Sequence, residues 1–243
     1  MSGEPTRRGT LPDQQVRAMF DRIAGRYDLM NSVMTAGLHD HWRTRAVDIA
    51  SVQPGDRVLD VATGTGDLAF ELAARVGPTG SVVGADFSSE MLAIARSKLA
   101  ARQPGVAADV QFETADALKL PYEDNSFAAA TVGFGVRNFA DLDRGLRELL
   151  RVVRPGGKVV ILEISQPTRQ PLAGFYRFWF DRIVPLLGRV GGEDSAYTYL
   201  PDSVKRFPDP RTLAARFSAA GATDVRYLVT AGGIITIHSG VAA

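Results

Sequence analysis

The chain has 243 residues, 45% of them hydrophobic and 23% charged, which suits one globular domain with a sizeable core. A formal net charge of +1, with no basic block, argues against nucleic acid or another highly charged partner. The absence of cysteine excludes disulfides, thiolate catalysis and cysteine-ligated metals, and the three histidines do not make a convincing metal site.

The first residues and the apolar segments bear on where the protein works. Residues 1–9 lack the apolar core of a signal peptide, and no apolar run approaches the length of a membrane span. These features predict a cytoplasmic protein.

Residues 13–50 have the pattern of helices that precede the main fold. Five side chains recur on one helical stripe: Val16, Met19, Phe20, Ile23 and Tyr27. Because this region comes before the first strand, it predicts either a lid across the strand ends or a helix that only packs against the sheet. Four side chains carry polar groups that packing alone does not require: Tyr27, Asn31, His39 and Trp42.

The segment Arg57–Asp67 contains the strongest local signal. The apolar run Val58–Ala62 has the length of a buried parallel strand, and a helical pattern begins at Asp67. Between them, Thr63-Gly64-Thr65-Gly66 allows a sharp turn and close approach of the backbone to a ligand. A strand, a glycine turn and a helix with unpaired N-terminal N–H groups form the first unit of a doubly wound nucleotide-binding sheet.

Acidic residues mark three successive predicted strands. Asp60 lies in the first strand, Asp86 ends the second at 20 residues beyond Gly66, and Asp116 with Ala117 ends the third. A carboxylate at the end of the second strand can accept hydrogen bonds from ribose hydroxyls. An acid at the end of the third strand can accept a hydrogen bond from an adenine amino group.

The glycine turn is compatible with two cofactor classes. With Ala69 it reads Gly-x-Gly-x-x-Ala, which also fits the dinucleotide fingerprint of a nicotinamide-dependent oxidoreductase. Three acids suit S-adenosylmethionine better than a pyrophosphate, because that cofactor carries a sulfonium and an ammonium and no phosphate. Alternatively, Asp60 and Asp116 only cap helices or turns. The predicted cofactor-binding residues are Asp60, Gly64, Thr65, Gly66, Asp86, Phe87, Asp116, Ala117 and Gly133.

The rest of the chain continues the alternation of strands and helices. Helices are predicted over residues 67–75, 89–101, 141–153 and 210–221, and strands over residues 82–87, 110–117, 127–133 and 158–164. Pro155-Gly156-Gly157 is expected to end the third helix, and Ser88 or Ser89 and Asp141 are candidate caps. Residues 222–229 and 233–238 predict a closing hairpin.

Residues 175–199 differ in composition from the predicted core. Six apolar side chains between residues 175 and 187 share a helical stripe: Phe175, Phe178, Trp179, Ile183, Leu186 and Leu187. Such a stripe indicates core or a dimer contact more often than a ligand pocket. Residues 191–199 predict a flexible polar connector, which either closes over a substrate or is simply a surface loop.

Two long segments carry a resemblance to a known family. Tyr27–Trp42 is similar to the first signature of the C-methyltransferases of ubiquinone and menaquinone biosynthesis, and Arg151–Ser165 to the second. Thr35 stands where the family usually has Ser. The resemblance extends over residues 16–238, and two shorter segments also match: Gly133–Asn138 and Thr230–Gly232.

The resemblance implies a Rossmann-like class I S-adenosylmethionine methyltransferase. The expected fold is α/β, with a mostly parallel seven-stranded sheet, an antiparallel C-terminal strand and an N-terminal helical lid. An antiparallel terminal strand also favours a methyltransferase over a dehydrogenase. The expected organisation is one domain over residues 1–243, with a helical extension (1–50), a cofactor-binding core (51–168), and substrate-side helices with the hairpin (169–243).

The reaction implied is methylation of a ring carbon of a reduced polyprenyl quinone. The first expectation is demethylmenaquinol to menaquinol, and the alternative is the corresponding benzoquinol of ubiquinone biosynthesis. With such a substrate, the stripe in residues 175–187 would line an apolar pocket or rest on the inner face of the membrane. A homodimer and a non-catalytic Rossmann subunit are further alternatives.

Three residues in the matching segments are candidates for catalysis. His39, one of two histidines in the first signature, has a side chain that titrates near neutrality and could act as a base. Arg137 cannot act as a base, but it could hold a water or stabilise a developing phenolate. Tyr27 could relay a proton or donate a hydrogen bond to the quinol. The structural alternatives are a helix cap for His39, an ion pair for Arg137 and simple packing for Tyr27.

Overall fold

The computed structural model of the chain describes residues 13–28, 32, 35, 37–102, 108–167, 174 and 194–243. Its strands are β1 (Arg57–Val61), β2 (Ser81–Asp86), β3 (Asp109–Thr114), β4 (Phe127–Gly133), β5 (Val153–Ile164), β6 (Thr223–Thr230) and β7 (Ile235–Val241). These described strands form one seven-stranded sheet in the order β3-β2-β1-β4-β5-β7-β6. This is the predicted Rossmann-like α/β fold.

The helices of the described residues flank this sheet. They are α1 (Asp13–Ile23), α2 (His39–Ala50), α3 (Asp67–Val76), α4 (Ser89–Ala100), α5 (Leu142–Val152), α6 (Asp194–Arg206) and α7 (Pro210–Ala219). Ser88 caps α4, because its Oγ accepts a hydrogen bond from the N–H of Met91 at 3.2 Å. Asp141 caps α5 in the same way, accepting from the N–H of Arg144 at 3.0 Å.

Strand pairing explains where a crevice opens. β1 pairs in parallel with β2 on one side and with β4 on the other, so the strand order reverses beside β1. In such sheets ligands bind outside the carboxyl ends of the strands at the reversal point. At the far edge, β7 lies antiparallel between β5 and β6, which confirms the predicted closing hairpin.

Alternating side chains of the central strand pack against both helical layers. Leu59 and Val61 belong to a buried cluster that includes Phe217 of α7. Val58 belongs to the opposite cluster, with side chains of α2 and α3. Because side chains alternate along a strand, Asp60 lies on the same face of β1 as Val58.

The boundary between α5 and β5 differs from the prediction. The helix ends at Val152 and the strand begins at Val153, so Pro155–Gly157 lies inside the strand assignment rather than before it. The register against β4 shifts between Phe127 and Ala129, which is the mark of a bulge. The proline and the two glycines suggested a turn after the helix, whereas they lie at an irregularity within the strand.

The predicted flexible connector is wrong from residue 194 onward. Residues 194–206 form α6, which contacts α1 and includes Pro201. The polar composition of residues 191–199 and this proline hid the helix from pattern reasoning. The predicted aromatic stripe of residues 175–187 lies outside the described residues.

The segment before the sheet covers the strand ends, as a lid would. Met19, Ile23 and Ala24 pack against Met91 of α4 in a buried cluster. Val16 and Phe20 face the crevice at the carboxyl ends of the strands. Within the described residues, no helix has the length and apolarity needed to cross a bilayer.

Candidate active site

The turn between β1 and α3 is built from backbone conformations that favour glycine. Gly64 and Gly66 have φ angles of +56° and +85°, and Gly66 is the N-cap of α3. A Cβ at Gly66 would lie 2.8 Å from the ring of Phe112, so a side chain there would collide with the core. The turn therefore places the N-terminus of α3 at the carboxyl edge of the sheet.

Asp86 links this turn to the end of β2. Its two carboxylate oxygens accept hydrogen bonds from the backbone N–H groups of Gly64 and Ser88, both at 2.8 Å. Burial raises the pKa of Asp86 to about 6, because it disfavours the carboxylate more than those hydrogen bonds favour it. The side chain is thus fixed at the strand end where a ribose is expected.

Asp60 is completely buried beneath the turn. Its carboxylate accepts hydrogen bonds from the hydroxyl groups of Thr131 at 2.6 Å and Thr63 at 2.7 Å. Burial raises the pKa of Asp60 to about 6 in spite of these two bonds. The carboxyl group does not cap a helix, and it is one wall of the smaller cavity described next.

Two cavities adjoin at the glycine turn. The larger, of about 260 Å³, lies between α1 and the strand ends, and the smaller is about 30 Å³. Five residues line both of them: Tyr27, Ala62, Gly64, Gly133 and Phe134. The cavities therefore form one crevice with Tyr27 at the junction.

The structure brings most of the predicted cofactor residues to this crevice. Six line the larger cavity: Gly64, Asp86, Phe87, Asp116, Ala117 and Gly133. Asp60 and Thr65 line the smaller one, whereas Gly66 lines neither and acts through the turn. β3 ends at Thr114, earlier than predicted, so Asp116 lies in the following loop. There it accepts a hydrogen bond from the N–H of Leu118 at 2.8 Å, as the turn-capping alternative proposed.

Arg137 lies beside the crevice in an ion pair. Its guanidinium is 2.7 Å from the carboxylate of Glu163, which is fully buried, and it also donates to the carbonyl of Phe134. The backbone N–H of Arg137 donates to the same carboxylate at 3.2 Å. The Glu163 carboxylate raises the pKa of Arg137 although burial alone would lower it. Arg137 lines neither cavity, so the arrangement favours the ion-pair alternative over direct contact with a substrate.

His39 is buried at the first turn of α2. Its Nδ1 is 2.7 Å from the hydroxyl of Thr35, and its Nε2 is 3.4 Å from the carboxylate of Asp40. Burial and the nearby Arg43 lower the pKa of His39, so the imidazole is neutral at pH 7. It does not line either of the two cavities, and the N-cap of α2 is Leu38 rather than His39.

One polar contact at the crevice could not be foreseen from the predicted connector. The hydroxyl of Tyr199, on α6, donates to the side-chain oxygen of Asn138 at 3.1 Å. Asn138 lines the larger cavity, in the short turn that Arg137 and Glu163 hold in place. The matching segment Gly133–Asn138 pointed to this turn but gave no indication of Tyr199.

Comparison with known families decides between the cofactor classes left open by the glycine turn. The profile of the ubiE/COQ5 methyltransferase family matches residues 9–242. The chain belongs to this family. The nicotinamide-dependent oxidoreductase is therefore excluded, and the family resemblance seen in the sequence is confirmed.

Similar proteins of known name agree with the family. A demethylmenaquinone methyltransferase from Thermus thermophilus is 48% identical over 91% of this chain and 99% of its own length. A ubiquinone/menaquinone biosynthesis C-methyltransferase from Ectopseudomonas mendocina is 42% identical over 94% of this chain and 89% of its own length.

Solved structures agree with the fold. An S-adenosylmethionine-dependent methyltransferase from Aquifex aeolicus has a TM-score of 0.60 at 19% identity, covering 83% of this chain and 89% of that one. Another from Thermotoga maritima has a TM-score of 0.64 at 18% identity, covering 93% and 99%. At these identities the similarity shows the Rossmann-like fold alone.

Sequence reasoning missed a charged network beside the smaller cavity. Arg43 of α2 pairs with Asp40 at 3.0 Å and with Asp67 of α3 at 3.1 Å. Lys98 of α4 pairs with Asp28 at 2.6 Å and with Asp67 at 2.7 Å. Arg43 directly follows Trp42, the end of the first signature, and this position was the available clue.

Proposed function

We propose that this ubiE/COQ5 methyltransferase transfers a methyl group from S-adenosylmethionine to a ring carbon of a reduced polyprenyl quinone. Demethylmenaquinol is the first candidate, because the relative named for that substrate is 48% identical, whereas the relatives with the combined ubiquinone and menaquinone name are 41–42% identical. The benzoquinol of ubiquinone biosynthesis is the second candidate.

The crevice supports this cofactor through the chemistry of its donors. Asp86, at the strand end in the larger cavity, is held by backbone N–H groups in a position to accept from ribose hydroxyls. Asp60 and Thr65 then flank the amino-acid end in the smaller cavity. When bound, S-adenosylmethionine supplies an electrophilic methyl group. Tyr27 lines both cavities and so lies between the places proposed for the ribose and for the amino-acid end.

The larger cavity also suits an apolar aromatic substrate. Much of its lining is aliphatic or aromatic: Val16, Phe20, Met91, Leu118, Phe134 and Phe139. Asn138 and Tyr27 add polar groups to this surface. A hydroquinone ring between them would find hydrogen-bond partners for its hydroxyls within an otherwise apolar wall. This combination is the observation that carries the proposal.

The candidate catalytic residues take different roles in this arrangement. Tyr27 is the catalytic candidate that reaches the crevice, where it hydrogen-bonds the quinol or relays its proton. Arg137 is a positioning residue: with Glu163 it fixes the turn that presents Asn138. His39 would act from outside the cavity walls, as a neutral base reached through intervening groups.

A methyl-transfer assay with labelled cofactor tests the function directly. The purified protein should methylate a demethylmenaquinol analogue faster than the matching benzoquinol, and S-adenosylhomocysteine should inhibit it. Tyr27→Phe should lower kcat while leaving S-adenosylhomocysteine affinity nearly unchanged, since the ring stays and only the hydroxyl goes. Failure to methylate either quinol class would overturn the proposal.

Contact with the membrane is the further part of this proposal. A long polyprenyl tail keeps the substrate in the bilayer, so the enzyme must meet it at the surface. Co-sedimentation with lipid vesicles, with and without a polyprenyl quinone, tests this contact. Measurement of the molecular mass in solution tests whether the protein forms a homodimer.

A further inference from the structure

The smaller cavity is lined by both acidic and basic side chains, whereas the charged residues predicted from the sequence to bind the cofactor are all acidic. Three ionisable side chains line it besides Tyr27: Arg43, Asp60 and Asp67. Asp60 and Asp67 precede and follow the glycine turn, whereas Arg43 comes from α2, in the N-terminal extension. Of the described residues that line this cavity, Arg43 is the basic one.

Arg43 is built into the wall of the site. Only 7% of the residue is exposed, which is unusual for an arginine. Asp40 and Asp67 each engage one terminal nitrogen of its guanidinium, at 3.0 Å and 3.1 Å. Because a guanidinium has five N–H donors in a planar fork, donors remain for a ligand after both pairs are made. The two carboxylates hold the fork at the cavity wall.

The charges of the cavity match the amino-acid end of the proposed cofactor. That end carries an ammonium, a carboxylate and, at its root, the sulfonium, so its net charge is positive. The two acidic side chains and one basic side chain that line the cavity have a net negative charge. Each charged group of the methionine end therefore has a side chain of opposite charge in the cavity wall. The ammonium suits an acid such as Asp60, and the carboxylate requires a cation.

We propose that Arg43 binds the carboxylate of the methionine end of S-adenosylmethionine, an inference that rests on the proposed cofactor. Arg43 is then a specificity-determining residue for the complete cofactor over fragments that lack the amino acid. The N-terminal extension thereby contributes to the cofactor site as well as to the lid, since α2 supplies a ligand contact opposite the glycine turn.

Calorimetric titration with two ligands tests the inference. S-adenosylhomocysteine has the carboxylate, and 5′-methylthioadenosine has the same adenosine and sulfur without the amino-acid end. Arg43→Gln should weaken S-adenosylhomocysteine about 10- to 100-fold, the range for loss of a charged hydrogen-bonded pair, and leave methylthioadenosine unchanged. Arg43→Lys should recover part of the affinity, because it keeps the charge and loses the fork.

A matched control separates ligand contact from helix placement. Arg75 of α3 pairs with Asp48 of α2 at 2.6 Å, so Arg75→Ala breaks another ion pair between the same two helices. It should leave both affinities unchanged. Equal weakening of both ligands by Arg43→Gln, or no weakening of either, would overturn the proposal.

A third ligand keeps the test decisive even if the Arg43 variants do not fold. Decarboxylated S-adenosylmethionine keeps the sulfonium and the ammonium but lacks the carboxylate, and the wild-type protein should bind it at least about tenfold more weakly than S-adenosylmethionine. Equal affinity would overturn the assignment of a carboxylate site. Failure of the wild-type protein to bind S-adenosylhomocysteine would instead overturn the proposed cofactor and function.

Discussion

Asp60→Asn tests whether burial of the ionised Asp60 carboxylate destabilises the folded protein. Burial raises the pKa of Asp60 from an ordinary 3.8 to about 6, so the unfolded chain ionises this group more readily than the folded one. The stabilisation from the neutral acid is present below pH 3.8 and is lost as the pH rises through 6. The rise in pKa corresponds to about 3 kcal/mol of destabilisation above about pH 7 and about 1 kcal/mol at about pH 4.5.

The asparagine amide that replaces this carboxyl group cannot ionise, so the variant escapes the pH-dependent cost. The free energy of unfolding of the variant minus that of the wild type should therefore increase by about 2 kcal/mol between about pH 4.5 and about pH 7.5. Urea denaturation at both pH values measures it. The difference between pH values cancels any fixed loss from altered hydrogen bonds with Thr63 and Thr131.

Asp143→Asn is the control with the opposite sign. This exposed carboxylate pairs with Arg216 at 2.7 Å, and that hydrogen bond lowers its pKa. Its stabilisation is present above the ordinary pKa and is lost as the pH falls, so the variant should not gain on the wild type at the higher pH. A difference for Asp60→Asn that stays flat with pH would refute the reasoning about burial.

Three further predictions concern the cofactor, the ion pair and the substrate tail. Asp86→Ala should weaken S-adenosylhomocysteine about 10- to 100-fold by calorimetry, because ribose hydroxyls lose a charged acceptor; unchanged affinity in the folded variant would contradict this role. Arg137→Ala should lower the free energy of unfolding by about 3–5 kcal/mol, since Glu163 stays buried without its partner; an unchanged denaturation midpoint would show otherwise. Replacing Phe178 and Trp179 by Ser should raise KM more for a long-tailed than for a short-tailed quinol, and equal effects would assign them to the core.

The part of the site that could be predicted from sequence is the part encoded locally. The glycine turn, the strand before it and Asp86 lie on short segments whose periodicity and turn residues are decisive. Parallel strands then bring their carboxyl ends to one edge whatever the details of packing. The seven-stranded fold and the closing hairpin follow from the same regularities together with the family signatures.

The rest depends on contacts between distant segments. Arg137 and Glu163 are 26 residues apart, and nothing in either segment indicates that one neutralises the other. The pairing of Arg43 with Asp67 likewise joins two helices that meet only after folding. Helix α6 was missed for a different reason, because contacts with α1 override the weak helical preference of its polar sequence.

The helices before the sheet and the predicted cofactor residues share hydrogen bonds. Ser88 donates through its backbone to Asp86 at 2.8 Å and through its hydroxyl to Asp21 of α1 at 2.5 Å. Thr65 of the glycine turn donates to Asp28 at 2.6 Å, at the end of the same segment. A ligand that orders the turn and Asp86 therefore also stabilises the lid, and a lid held in place orders the cofactor residues. Asp21 and Asp28 thus couple the helical extension to the end of β2 and to the glycine turn, the two elements that position the predicted cofactor residues.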